Sequence, residues 1–253
     1  MASREEIIAF CDGLLDVAAF DDYGPNGLQV PGATEIKRVA TTVSAHGESI
    51  DAAVTEGAQL LLAHHGLFWD FHPRALSEQM ASRLRTALGG GLNVAGYHLP
   101  LDAHAEIGNN ALLCEALGFQ RSGERLGIVK GSPIGVIGRN ADGVPATELV
   151  SRVREACGQD PLVFAAGPGL VKSIGIITGS AASEVHEAVG MGLDAFLTGE
   201  PAEHAMADAR EGRIHFIAAG HYATETFGIR RLGDLVAERF HVEHRFLDIP
   251  NPV

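Results

Sequence analysis

The sequence is poor in cysteine and contains no long apolar run, and each shortage excludes a class of protein. Three cysteines stand among 253 residues and none forms a CxxC pair. A disulfide framework or a thiolate zinc site is therefore not expected, and the cytoplasm is the predicted location. No stretch approaches the ~20 apolar residues that span a bilayer, so the sequence predicts no membrane partner.

Positive charge is also scarce. Lys and Arg number 19 against 32 Asp and Glu, which gives a formal net charge of −13. Such a surface repels a polyanion at long range, so nucleic acid is not expected as a partner. A single nucleotide stays possible as a substrate, because a bound cation supplies positive charge locally.

Several catalytic signatures are missing as well. The sequence has no GxxxxGK[ST], no GxGxxG after the first strand, no GxSxG and no HExxH. These absences argue against a P-loop NTPase, a dinucleotide oxidoreductase, an α/β-hydrolase and a zincin.

What is present is an alternation of short apolar strands with helical segments, which predicts an α/β fold with mainly parallel sheets. The pattern occurs twice. Residues 53–66 (AVTEGAQLLLAHHG) resemble residues 188–201 (AVGMGLDAFLTGEP), and AGYHLPLD resembles AAGHYATE. We therefore predict two similar α/β domains, the first over residues 1–125 and the second over residues 126–253, with an approximate boundary.

Side chains that can bind metal follow several of the predicted strands. In α/β folds, ligand chemistry collects at the carboxyl ends of the strands. Imidazole with carboxylate suits zinc, manganese, iron or cobalt better than magnesium or calcium. The candidate ligands are His64, His65, Asp102, His221 and Glu225.

The two adjacent histidines permit two interpretations. Neighbouring residues of a strand point to opposite faces, so either one histidine binds and the other packs, or the strand has ended and the pair diverges onto two ions. His221 and Glu225 share a helical face if Gly220 begins a helix. Glu225 is the predicted bridging ligand, since a carboxylate can contact two ions and an imidazole cannot.

Further polar residues lie near these positions. His98 is predicted to line the site, orient a ligand or shuttle protons, and Glu200 is a second candidate for proton transfer. His204 either joins Glu200 in a pocket or forms a structural polar pair with it. Phe68 and Trp69 are predicted core or pocket-wall aromatics. The remaining histidines are interpreted as structural or surface residues: His46, His72, His104, His186, His215, His241 and His244.

At this point the sequence resembles a known family. The matching segments are NGLQVPG (26–32), LLLAHHGLFW (60–69), YHLPLDAHAEIGNN (97–110), FLTGE (196–200), AAGHYATETFGIRRL (218–232) and FLDIPNPV (246–253). They are similar to those of the Nif-three-like family, also called GTP cyclohydrolase I type 2 homologues, in its short form without a middle insertion.

The resemblance implies two intertwined α/β domains, a dinuclear metal site at their interface and a ring-shaped homohexamer. It implies metal ligation by His64, His65, Asp102, His221 and Glu225, all of which match the family motifs. The expected function is a two-metal hydrolase acting on a small molecule such as a nucleotide or a related phosphorylated or heterocyclic compound. The alternative is a non-enzymatic ring that stores or senses metal or docks partner proteins.

Overall fold

A computed structural model describes residues 2–253. The strands are β1 (Ala2–Ser3), β2 (Gly27–Val30), β3 (Glu35–Ile36), β4 (Arg38–Ser44), β5 (Leu60–His65), β6 (Asn93–Gly96), β7 (Gln120–Val129), β8 (Ser132–Pro145), β9 (Leu162–Phe164), β10 (Leu170–Ile176), β11 (Ala195–Thr198), β12 (His215–Ala218) and β13 (Glu243–Phe246).

The helices alternate with these strands over most of the chain. They are α1 (Arg4–Leu14), α2 (Gly47–Thr55), α3 (Glu78–Gly89), α4 (Leu99–Ala103), α5 (Asn109–Ala116), α6 (Ala146–Cys157), α7 (Val185–Gly190), α8 (Ala205–Gly212), α9 (His221–Thr224) and α10 (Thr226–Phe240). The predicted α/β class is therefore confirmed.

The chain divides into two compact units. Unit 1 holds the residues up to Leu101 together with Gly228–Ile249, and unit 2 holds Asp102–Phe227 together with Pro250–Val253. This division differs from the boundary after residue 125 that the internal repeat suggested. The physical reason is that the C-terminal strand β13 pairs in parallel with β4, so the end of the chain belongs to the first sheet.

Unit 1 contains a five-stranded sheet in the order β13-β4-β5-β6-β2, with β2 antiparallel at one edge. Its middle strands are parallel and almost wholly buried, as expected for strands covered on both faces. The core on one side of the sheet includes Ile50, Leu61, Leu92 and Val94. Ser3 caps α1 by accepting a hydrogen bond from the backbone amide of Glu6.

Unit 2 contains a six-stranded sheet in the order β7-β8-β10-β11-β12-β9. Strands β10, β11 and β12 are parallel, and the others are antiparallel to their neighbours. Apolar clusters cover the sheet, one including Val136, Ile174 and Leu197, the other including Phe196 and Phe216. The long hairpin β7–β8 was not predicted from the sequence.

The two sheets share an arrangement that the repeat predicted. In unit 1, β5 lies between β4 and β6, and in unit 2, β11 lies between β10 and β12. Candidate ligands therefore come at or just after the carboxyl ends of corresponding strands. Among residues 2–253, no helix has the length and apolar character that a membrane crossing requires.

Candidate metal centre

Three histidines of unit 1 gather at the end of its sheet. His64 and His65 are the last two residues of β5, and His98 follows β6. Ligand nitrogens of the three rings lie within 4.8 Å of one another. The strand continues through both adjacent histidines, yet their ring centroids are only 4.7 Å apart. The last residue pair between β5 and β6 is Ala63 with Gly96, so both histidines lie beyond the part of β5 that is paired with β6.

Each of these rings has a hydrogen-bond partner at its Nδ1 atom. The Nδ1 of buried His64 lies 3.0 Å from the carbonyl oxygen of Tyr97, and that of His65 lies 3.0 Å from Ser44 Oγ. A carbonyl only accepts, so the Nδ1 of His64 carries the proton and its Nε2 keeps the lone pair that a metal needs. Metal-binding histidines are typically oriented in this way.

His98 is oriented by a carboxylate. Its Nδ1 lies 2.7 Å from Asp22 Oδ1, and the side chain of Asp22 is only 3% exposed. Asp22 also accepts hydrogen bonds from the Asn26 amide and from the backbone N–H groups of Tyr23 and Leu99. Burial alone would raise the pKa of Asp22, but the His98 ring and these donors hold it below its usual value.

Unit 2 contributes a histidine between two carboxylates. Gly220 precedes α9, so His221 and Glu225 lie one helical turn apart, with 3.1 Å between His221 Nε2 and Glu225 Oε2. The Nδ1 of His221 contacts Glu200 Oε1. The conditional prediction that these residues share a face if Gly220 begins a helix is confirmed.

The two carboxylates control the charge of this imidazole. Burial by itself lowers the pKa of His221, but hydrogen bonds and charge from Glu225 and then Glu200 raise it to about 9. A cation is therefore favoured at this position.

Asp102 completes the acidic part of the unit 2 set. It is 5% exposed and accepts a hydrogen bond from Asn109 Nδ2 at 2.7 Å. Its carboxylate and that of Glu225, which is 3% exposed, have oxygens within 4.8 Å of one another. Two buried carboxylates this close repel one another, and a divalent cation removes the repulsion. The donors therefore fit a metal of the zinc, manganese, iron or cobalt class.

The backbone of a glycine lies directly against the side chain of Glu225. Gly179 follows β10 with φ +71°, and a Cβ built on it would lie 2.3 Å from Glu225 Oε1 and 3.3 Å from His221 Nε2. The close approach and the positive φ both require glycine here.

A cavity of about 530 Å³ opens in unit 1 within the segment after the double histidine. Trp69 forms one wall, and its ring centroid is 5.9 Å from that of His65. Arg74 and Arg83 line the same cavity. Trp69 is therefore a pocket-wall aromatic, one of the two places predicted for it from the sequence, and the pocket offers positive charge in a chain that is acidic as a whole.

Comparison with known proteins identifies the family. A sequence model described as DUF34/NIF3 (NGG1p interacting factor 3) matches residues 2–252. The chain belongs to the DUF34/NIF3 family. A Pseudomonas aeruginosa member named GTP cyclohydrolase 1 type 2 homolog is 40% identical over 248 residues, covering 97% of each chain. An Escherichia coli K12 member with the same name is 40% identical over 239 residues, covering 94% of each.

Two solved structures share the fold of this chain. The structure titled protein ybgI, of unknown function, superposes with a TM-score of 0.93 at 39% identity, with full coverage of both chains. The protein TTHA1606 from Thermus thermophilus gives a TM-score of 0.85 at 33% identity, again with full coverage of both chains. The predicted resemblance is thereby confirmed.

Sequence reasoning missed the residues that orient the histidines in this family member. Asp22 and Ser44 hold His98 and His65, yet neither lies in a motif that was singled out. Asp22 is 76 positions from His98, so spacing could not reveal the pair. His204 contacts Asp208, whereas Glu200 contacts His221, so the interpretation of Glu200 and His204 as one pair is not what the structure has.

Proposed function

We propose that this DUF34/NIF3 protein is a hydrolase that uses two divalent metal ions held by His64, His65, Asp102, His221 and Glu225. The observation that carries the proposal is that four histidine rings are hydrogen-bonded at the same ring atom. In His64, His65, His98 and His221 the Nδ1 atom has a hydrogen-bond partner, which orients Nε2. Four rings fixed in this way are expected of ligands and of groups that act beside them, and are not needed for packing.

The proposal requires that the two proposed ligands of unit 1 and the three proposed ligands of unit 2 bind the same pair of ions, with Glu225 shared. Bound divalent ions supply Lewis acidity, which lowers the pKa of water toward neutrality and polarises the bond under attack. The metal identity that the donors favour is zinc, manganese, iron or cobalt.

The protein's own groups then manage protons. Asp22 fixes the His98 ring through Nδ1, which makes Nε2 the atom that takes or gives a proton. Glu200 contacts His221 Nδ1, and we assign it first the positioning of that ring. Its side chain is 32% exposed, so it can also exchange a proton with solvent.

The substrate class that we propose comes from the cavity lined by Trp69. Trp69 offers an aromatic face, and the guanidinium groups of Arg74 and Arg83 suit phosphate oxygens. A nucleotide or another phosphorylated heterocycle has both features. The relatives' name, GTP cyclohydrolase 1 type 2 homolog, supports GTP as the first compound to try.

The test is metal-dependent turnover. Protein stripped with chelator and reloaded with zinc, manganese, iron(II) or cobalt is incubated with GTP and a panel of nucleotides and phosphoesters, and products are separated chromatographically. Glu225→Gln should lose bound metal and at least about 100-fold in turnover, since even outer partners of ligands cost 10–100-fold. Glu238→Gln, an exposed acid of the helix that follows Glu225, is the matched control.

Two outcomes would overturn the proposal. Turnover that persists in a metal-free Glu225→Gln protein would remove the metals from the mechanism. Loaded wild-type protein that is inert on the whole panel, yet retains a partner protein, would favour the alternative of a metal-binding docking ring.

We also propose a homohexameric ring, supported by family membership. Six chains of 26.6 kDa would give about 160 kDa. Light scattering on the eluting protein measures this mass directly, and a mass of one or two chains would exclude the ring.

A further inference from the structure

A second group of metal-binding side chains lies in unit 2, apart from the five residues above. His186 belongs to α7, while His204 and Asp208 lie at the start and in the first turns of α8. Their ligand atoms lie within 4.8 Å of one another. Asp208 Oδ2 is 2.6 Å from His204 Nδ1 and 3.3 Å from His186 Nε2, so both rings converge on one carboxylate oxygen.

The two helices are fixed by apolar packing beneath these side chains. Val185 and Ala188 of α7 and Ala205 and Ala209 of α8 are buried in one core cluster. His204 and Asp208 are spaced by four residues and therefore share one face of α8. The imidazole planes of His186 and His204 are 6° from parallel, with centroids 6.1 Å apart. A rigid support thus presents three donors from two helices to one point.

We propose that His186, His204 and Asp208 form a separate mononuclear site for a transition-metal cation of the zinc class. Zinc–ligand bonds of about 2.0–2.2 Å in a tetrahedral arrangement place ligand atoms roughly 3.3 Å apart. The distance between His186 Nε2 and Asp208 Oδ2 already has this value. The distance between His204 Nδ1 and Asp208 Oδ2 needs to widen from 2.6 Å to about 3.3 Å, which a side-chain rotation supplies.

The exposure of the three side chains determines what kind of site this is. His186 is 66% exposed and His204 43%, whereas Asp208 is 19% exposed. Two imidazoles and one carboxylate leave coordination positions open toward solvent, in contrast to a closed four-ligand structural site. The site therefore exchanges its cation readily, and hard cations such as Mg²⁺ bind it poorly because they prefer oxygen donors.

A simpler explanation of these contacts is a surface ion pair. An exposed His–Asp pair one turn apart contributes little to stability and does not need a third partner. An ion pair within α8 does not explain why His186, from another helix, contacts the same carboxylate oxygen. A chelating site requires such a second imidazole.

The experiment counts bound zinc in solution. Zinc is titrated into stripped protein against a chromophoric chelator, first in wild type and then in His204→Ala and Asp208→Ala. Each variant should bind one equivalent fewer than wild type. Glu211→Ala, which removes an exposed carboxylate from the same helix, and His72→Ala, which removes an exposed histidine elsewhere, should bind as wild type does.

A second measurement locates the ion and separates it from the proposed hydrolase centre. Crystals of wild type soaked in zinc should give an anomalous peak among His186, His204 and Asp208, absent in His204→Ala. The equivalent lost in His204→Ala should also be lost when His64→Ala is the starting protein. Equal zinc counts in all variants, or no peak at this position, would overturn the site without affecting the function proposed above.

Discussion

Four candidate imidazole rings, three in unit 1 and one in unit 2, are held at Nδ1, and the partner differs from ring to ring. A backbone carbonyl holds His64, a hydroxyl holds His65, and carboxylates hold His98 and His221. The carboxylate of Asp22 therefore orients the ring of His98 for the role proposed for it.

Asp22 offers a prediction at the scale of one residue. Asp22→Ala removes the acceptor used by His98, by the Asn26 amide and by two backbone N–H groups, most of which are partly buried. We expect the free energy of unfolding to fall by about 2–4 kcal/mol. Urea denaturation followed by circular dichroism measures the loss.

The neighbouring residue supplies the control for that substitution. Asp21 is exposed, so Asp21→Ala should change stability by no more than about 0.5 kcal/mol. Equal stability of the two variants would show that the hydrogen bonds to Asp22 contribute nothing measurable.

At the scale of elements, the loops after β10 and β12 determine where the unit 2 ligands lie. Gly179 accepts no side chain, because its Cβ would occupy the space of Glu225 Oε1. Thr224 Oγ1 fixes the same loop by accepting a hydrogen bond from the Gly179 amide at 3.2 Å. The position of Glu225 thus depends on backbone shape as well as on its own helix.

Gly179→Ala should therefore weaken metal binding. The variant is strained by its φ of +71° and also forces Glu225 to move. The matched control is Gly192→Ala, whose φ is +68° and whose Cβ would meet nothing within 4 Å. Both variants should lose about 1 kcal/mol of stability from the left-handed backbone.

Metal content distinguishes these two glycine variants. Only Gly179→Ala should bind the ions of the proposed centre at least about tenfold more weakly, as expected when a ligand is misplaced. Elemental analysis after dialysis against limiting zinc measures this difference. Equal metal content in the two proteins would mean that Glu225 does not need its present position.

The elements also show how far the sequence could lead. Strands β5 and β11 lie in the repeated segments 53–66 and 188–201, which were recognised because each holds a short apolar run followed by polar residues. Strand β7 was missed because residues 120–124 are all exposed and carry no apolar alternation. The pairing of β13 with β4 joins residues about 200 positions apart, and no local pattern encodes it.

The residues of the candidate site also fall into those that the sequence could predict and those that it could not. The five proposed ligands were found from motifs at strand ends, since polar residues directly after apolar runs stand out. Three residues were not found from the sequence, namely Asp22, Ser44 and Asp208. Each acts through a side-chain contact that forms only when the chain folds. His186 was assigned to the surface for the same reason; its exposure is real, but its neighbours are on another helix.

For the whole molecule, the charge of −13 has a consequence for both proposed kinds of ligand. A negative surface raises the local concentration of divalent cations and lowers that of anionic substrates. An anionic substrate therefore needs local positive charge, which bound metal and the arginines lining the cavity beside Trp69 would provide. Binding of metal before substrate is the order that this charge distribution favours.

Metal removal tests this charge balance at the level of global stability. Without a cation, the buried carboxylates of Asp102 and Glu225 repel one another. Zinc or manganese at about 100 times its Kd should add roughly 2.7 kcal/mol to the stability of stripped protein, because it binds only the folded state. The Tm should rise by about 5–10 °C, as followed by differential scanning fluorimetry.

The background for this measurement should be His204→Ala, so that zinc bound at the second proposed site does not contribute to the shift. In that background, Mg²⁺ at the same concentration should raise the Tm less, since it prefers oxygen donors and keeps its waters. Adding Glu225→Gln should abolish most of the zinc shift. If the shift were the same with and without Glu225, the ions would be stabilising the protein from some other place, and the carboxylate pair would not be the centre of the proposed site.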